Sequence, residues 1–288
     1  MNQALIVERT LEFSALALRA RVLETNGAPG GPVVLMLHGN PDNADEWRPL
    51  MARLGATHRC IAPDFPGYGY STDLPDSFDY SLEVQRRFVD ALLAQLGVTQ
   101  PVILVVHDTG GMVGTDWAAR HLDRIAGMVF TNTVVFENFP WFPIARRWAD
   151  MSWRGRFRAG LGMKAMALKR GALFRKIFAA QSPQLGTDDL NRFVATFALN
   201  PVAKRATLRQ FRQCVPASFF TGFEAARMKL IAERPVRVLW GDNDPYLPAE
   251  LSRRFGEAPV TVLPDVGHWV PLIAADRLAE EVRAVAPN

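Results

Sequence analysis

Short apolar runs punctuate this chain, and most lack the alternation of a half-buried strand. Residues 33–37 read VVLML, 102–106 VILVV and 236–240 VRVLW, with further runs at 59–62, 128–131 and Val260–Leu263. Runs of this kind predict strands buried on both faces, the condition of a parallel sheet covered by helices. Helical patterns fill the intervals at 81–96 and 111–121, and a closing helix is expected over 271–286. Strands alternating with helices predict βαβ units and an α/β fold. Residues 11–24 (LEFSALALRARVLE) alternate instead and predict an antiparallel hairpin at the leading edge of the sheet. No internal repeat or low-complexity tract interrupts the pattern.

The 288 residues, 49% hydrophobic and 22% charged, suit one large α/β domain carrying an insertion. No run approaches the ~18 apolar residues of a membrane span. Residues 1–10 lack the pattern of a secretion signal, and two cysteines, Cys60 and Cys214, make no disulfide framework. The expectation is a cytoplasmic protein. The net charge of +4 conceals an asymmetry: residues 136–222 hold 15 Lys and Arg against 4 Asp and Glu, while the rest hold 18 against 25. That break marks a mostly helical insert at 136–222 between the core segments 1–135 and 223–288. Its basic residues interleave with Trp148, Trp153, Phe157, Phe174 and Phe178 at near-helical spacing, which predicts amphipathic helices with solvated basic faces. An acidic partner protein or an anionic surface at the insert is the second reading. Nucleic acid is not expected.

Ligands of open α/β sheets sit beyond the C-terminal strand ends. The 102–106 strand ends in His107-Asp108-Thr109-Gly110-Gly111 and runs directly into a helix, the geometry of a nucleophile elbow with Asp108 at its tip. A Ser there needs a base before it attacks, whereas a carboxylate is already anionic and can displace a leaving group from saturated carbon. The resulting ester must then be cleaved by water with a general base. Val260–Leu263 leads to Pro264-Asp265-Val266-Gly267-His268, and 236–240 leads to Gly241-Asp242-Asn243-Asp244, so His268 is the expected base and Asp244 the acid that orients it. Taken singly, Asp108 reads as an N-cap, His268 as structural and Asp244 as turn chemistry. Three such residues at three strand ends, in the order nucleophile, acid, histidine, carry the functional reading. His38-Gly39-Asn40-Pro41 follows Val33–Leu37, and the backbone N–H groups of Asn40 and Thr109 are the expected oxyanion donors. The Asn40 amide can also hold a departing anion. His38 and Asp64 are expected to fix their own loops.

HGNP (38–41), DFPGYGYS (64–71), HDTGG (107–111), LWGDNDPYLP (239–248) and VGHW (266–269) together resemble the α/β-hydrolase superfamily in its aspartate-nucleophile branch of haloalkane dehalogenases and epoxide hydrolases. The resemblance runs from about residue 10 to the end. It implies a mostly parallel eight-stranded sheet flanked by helices, with 136–222 as a helical cap over the substrate cavity. It also implies a small apolar organic substrate and water as reactants, and no metal or cofactor. Two departures matter. Epoxide hydrolases of this type protonate the epoxide oxygen with cap tyrosines, and none of Tyr68, Tyr70, Tyr80 and Tyr246 lies in the insert, which disfavours ordinary epoxides. Dehalogenases hold halide with an Asn at the position of Asn40 and a Trp directly after the nucleophile, where this chain has Thr109. The Thr109 hydroxyl, or an indole from Trp141, Trp148 or Trp153, would have to replace it. Some dehalogenases take the acid from the loop after the fourth parallel strand, which makes Glu137 the alternative to Asp244. The resemblance therefore implies carbon–halide cleavage through an ester on Asp108, with epoxide or β-lactone hydrolysis by the same residues as the alternative. An esterase, which would need a serine at 108, and a non-catalytic partner-binding role stand lower.

Overall fold

Each apolar run becomes a strand of one sheet. The computed structural model describes residues 5–286. Its strands are β1 (Val7–Phe13), β2 (Leu18–Glu24), β3 (Val33–Leu37), β4 (Arg59–Pro63), β5 (Val102–Asp108), β6 (Ile125–Thr133), β7 (Val236–Gly241) and β8 (Val260–Leu263). They lie in the order β1-β2-β4-β3-β5-β6-β7-β8. The β1–β2 and β2–β4 pairs are antiparallel and the others parallel. Leu35 sits in register with Ile61 on one side and Leu104 on the other. Along β5, Val102, Leu104 and Val106 join one apolar cluster while Ile103 and Val105 join a second. Both faces are covered, so period-2 side chains still read as an unbroken apolar run. Each such buried side chain contributes ~1.5–3 kcal/mol.

The hairpin begins at Val7 rather than at residue 11. Glu8, Arg9 and Thr10 are exposed on the edge strand, so burial imposes no apolar alternation there. Helix Leu82–Gln95 starts at Ser81, whose hydroxyl accepts the Val84 N–H, and buries Phe88, Val89, Leu92 and Leu93 on one side. Ala275–Ala284 places Leu278, Ala279 and Val282 against the opposite face of the sheet. After β6 the chain forms helices Pro143–Ala149, Trp153–Ala165, Leu168–Gln181, Thr187–Phe193 and Pro201–Cys214, with a π-helical turn at Val194–Ala198. It returns to the core through Phe223–Glu233, which packs on Gly110–Arg120. Among the described residues no helix is long and apolar enough to cross a membrane.

Candidate active site

Asp108 is the last residue of β5 and has φ 47°, a left-handed backbone unusual for a residue with a side chain. Three glycines make this bend fit. A Cβ on Gly39 would stand 2.3 Å from the Asp108 Cβ, one on Gly110 2.2 Å from the Leu37 carbonyl oxygen, and one on Gly111 1.8 Å from Thr133 Oγ1. The Thr133 hydroxyl in turn donates to the Asp108 carbonyl, 2.7 Å. Helix Gly110–Arg120 begins at once, so the carboxylate is thrust up between the ends of β3 and β6. Its Oδ1 accepts the Asn40 backbone N–H at 2.8 Å, and its Oδ2 lies 3.9 Å from His268 Nε2.

His268, in the loop after β8, donates from Nδ1 to Asp244 Oδ2 at 2.7 Å. The other Asp244 oxygen accepts the N–H groups of Tyr246 and Leu247, at 2.7 and 3.0 Å. Asn132, at the end of β6, also donates to Asp244 Oδ2 (2.7 Å) and exchanges bonds with both backbone groups of Gly241. It pins the tip of β7 to that of β6. The sequence reading missed it, although a buried Thr131-Asn132-Thr133 at a strand end was its signal. Burial alone would raise the Asp244 carboxyl, but the charge of His268 and these bonds hold it below its ordinary value. Burial likewise opposes the His268 charge, and Asp244 outweighs it, bringing the imidazole up to about 8.

Beneath His268, burial lowers His107 to about 4 and keeps it neutral. Its Nε2 lies 3.0 Å from the His268 carbonyl, which can only accept, so that nitrogen carries the proton. Nδ1, left as the acceptor, lies 3.1 Å from the Glu46 carboxyl, which burial raises well above its ordinary value. His38 fixes its loop as expected, accepting the Phe65 N–H on Nε2 and donating from Nδ1 to the Gly39 carbonyl. Asp64 does the same for its loop by accepting the Ala44 and Tyr70 N–H groups.

A cavity of about 330 Å³ lies above these groups. Asn40, Asp108, Gln181, Tyr246 and His268 are its polar lining, against a majority of apolar side chains that includes Trp148, Phe178, Phe211 and Trp269. Of the three insert tryptophans, only Trp148 reaches it. Trp141 is packed among Phe139, Phe211 and Phe220, and Trp153 is 75% exposed on the outer surface. Thr109 is buried at the start of its helix and its side chain does not line the cavity. Glu137 is not brought to His268. Its carboxylate accepts the N–H groups of Gly222 and Glu224 and caps the helix Phe223–Glu233. No tyrosine of the insert lines the cavity, but Tyr246 enters it from the β7 side and donates to Gln181 Oε1 at 2.8 Å. The insert supplies two residues that the sequence did not reveal. Thr207 donates to Asn40 Oδ1, leaving the Asn40 Nδ2 end with protons to offer. Arg192 pairs with the buried Asp42 behind the same loop.

The model of the alpha/beta hydrolase fold family matches residues 32–275, most of the chain. This chain belongs to that family. It is 30% identical over 280 residues to a cis-3-alkyl-4-alkyloxetan-2-one decarboxylase of Xanthomonas campestris pv. campestris, covering 90% of this chain and 89% of that protein. It is 24% identical over 258 residues to haloalkane dehalogenase 2 of Mycobacterium bovis, covering 88% and 87%. The crystal structure of haloalkane dehalogenase DbeA from Bradyrhizobium elkani superposes with a TM-score of 0.75 at 23% identity over 97% of this hydrolase and 98% of that chain, a likeness of fold.

Proposed function

We propose that this hydrolase opens small, alkyl-bearing electrophiles by direct attack of the Asp108 carboxylate, and that its substrate class is the β-lactone ring. The observation that carries the reading is a carboxylate with one oxygen held by the Asn40 N–H, the other open beside His268, at the floor of an apolar cavity. Attack of Asp108 on the saturated ring carbon breaks its bond to the ring oxygen. The electron pair leaves on a carboxylate, which is stable as an anion and needs no proton, only a donor such as the Asn40 amide. Burial and the neighbouring Asp244 push the Tyr246 phenol further from ionisation, so it is a poor acid toward an alkoxide. This favours leaving groups that are anions in their own right over ordinary epoxides.

The product of that step is an ester on Asp108. His268, held by Asp244, takes a proton from water as the water adds to the ester carbonyl. The oxyanion forms on the oxygen bound by the Asn40 N–H, with the Thr109 N–H as its second donor, and the carboxylate is regenerated. Residues 136–222 form the cap that keeps bulk water from this ester. The relative from X. campestris, whose name pairs an oxetan-2-one with decarboxylation, supports the ring class. Carbon–halide displacement is the second reading, favoured by Asn40 and by the dehalogenase relatives, and weakened because Thr109 places no indole beside the nucleophile.

The test is a cis-3,4-dialkyl-oxetan-2-one assayed beside a matched alkyl bromide. Lactone turnover in the wild type, lost by ~10⁵-fold in Asp108→Asn, is the expected result. A single turnover in heavy-oxygen water should also place label in the Asp108 peptide. Bromide turnover with an inert lactone would move the assignment to the second reading, and product formation without label in that peptide would overturn covalent attack.

A further inference from the structure

Large apolar side chains are exposed on the two helices that border the cavity mouth. Trp153, Phe157 and Leu161 repeat at helical spacing along Trp153–Ala165, with 75%, 67% and 59% of their surface open. On Leu168–Gln181, Leu173 and Ile177 are half exposed, and both also line the cavity. The outer apolar surface is thus continuous with the inner one. Residues 144–177 further hold ten Lys and Arg and a single acid, Asp150. An exposed apolar patch rimmed by cations is an unfavourable surface to leave in water and the pattern of helices that lie in a membrane interface.

We propose that this face docks on an anionic lipid surface, with the apolar side chains in the headgroup–acyl boundary and the cavity mouth facing the acyl chains. A second copy of this chain is disfavoured, because face-to-face pairing would oppose two strongly cationic surfaces. Nucleic acid is disfavoured because aliphatic Leu161, Leu173 and Ile177 have nothing to stack on. Each Lys or Arg near an anionic membrane adds ~1 kcal/mol, about fivefold in partitioning, and the apolar side chains add to it. Delivery of a lipophilic substrate from the bilayer rests on the function proposed above. The docking itself does not, so it is measured with the full-length Asp108→Asn protein, which cannot turn over.

The experiment is co-sedimentation with sucrose-loaded vesicles, one set of phosphatidylcholine and one of phosphatidylcholine mixed with phosphatidylglycerol, at low and high salt. Binding to the mixed vesicles, at least ~10-fold weaker to the neutral ones and reduced by salt, is expected. Arg154→Glu with Arg158→Glu should lower partitioning by ~25-fold or more, and Phe157→Ser with Leu161→Ser by ~10-fold. All four positions are on the exposed surface, and circular dichroism checks that the variants are folded. Equal binding to both vesicle types, or no binding, overturns the proposal. So does a patch-dependent dimer in sedimentation velocity, which makes a second copy the occupant. Retention on immobilised polyglutamate without vesicle binding also overturns it, in favour of an acidic protein.

Discussion

On the sheet side of the cavity, Gly39, Gly110 and Gly111 each stand where a single added carbon would overlap a neighbour. On the insert side, Gly160 and Gly162 have nothing within 4 Å. The insert is not open throughout, since a Cβ on Gly155 would meet Asp150 and one on Gly171 would meet Val194, but Gly160 and Gly162 mark the opposite condition to the glycines around Asp108. The sheet side is closed around one bent backbone whose carboxylate, imidazole and second carboxylate are all oriented by hydrogen bonds. The insert contributes shape and surface, and touches the polar machinery at few points, notably Thr207 to Asn40 and Arg192 to Asp42. Substitutions on the floor should act on chemistry, and those in the roof on stability, access or docking.

The sharpest test of that division is Asp244→Asn. It leaves the shape intact but removes the charge that raises His268 and fixes its tautomer. Turnover should fall by ~10⁴-fold. The direction of the pH effect is specific. His268 works as a base when neutral, so in the wild type ester cleavage rises with pH as the imidazole, held up by Asp244, loses its proton. Without Asp244, burial dominates and lowers the imidazole, so the acid limb of the residual rate should move to lower pH. Single-turnover decay of the ester at several pH values measures this. A limb that stays at its wild-type position means another group sets the His268 charge.

Asp108, Asp244 and His268 were legible because each follows an apolar run within a few residues, and strand ends converge in an open parallel sheet. Five core strands were legible for the same reason, since burial on both faces writes itself into local composition, whereas edge strand β8 kept an apolar run although Val260 and Val262 are exposed. The first half of edge strand β1, from Val7 to Thr10, and helix Phe223–Glu233 were not, the first because it is exposed and the second because nothing at its start signals a cap. Thr207 was invisible for a different reason. Its partner lies 167 positions away, and no local pattern encodes a contact of that span. Tyr246 was set aside because its position in the chain put it outside the insert, whereas the fold turns its ring to the cavity. Glu137 sat at a plausible place in the sequence but was drawn to the backbone N–H groups of a helix start instead.

Arg192→Leu probes one of the points where roof meets floor. Asp42 is fully buried, which pushes its carboxyl up to about 7 even with Arg192 pulling the other way. Removing the guanidinium leaves that group unpaired, a loss of ~3–5 kcal/mol where a buried pair is broken from one side. The folded carboxyl then stays protonated at pH values where the unfolded one, at ~4, has released its proton. A raised folded value means that stability falls as pH rises, so the deficit in thermal melts should be larger near pH ~8 than near pH ~5. Asp42→Asn added to Arg192→Leu should recover most of the loss and flatten the dependence. A deficit that is the same at both pH values would indicate lost stacking of the Arg192 guanidinium on the Phe193 ring rather than a stranded charge.

The smallest expected effect comes from the glycines themselves. At Gly111 an added Cβ meets Thr133 Oγ1, the hydroxyl that anchors the Asp108 carbonyl, so relief requires moving the elbow. Gly111→Ala should cost ~1–3 kcal/mol and lower turnover as well. Gly160 sits inside Trp153–Ala165 with open space around it, so Gly160→Ala removes only the backbone freedom that glycine carries into a helix. It should stabilise by up to ~1 kcal/mol, which raises the melting temperature by ~2–4 °C in a chain of this size, with turnover unchanged. A stabilising change in the roof that leaves the chemistry alone, paired with a destabilising one on the floor that does not, would establish that the two halves of the cavity are under different constraints. Loss of stability in Gly160→Ala would mean that this helix packs more closely at residue 160 than the open space around it implies.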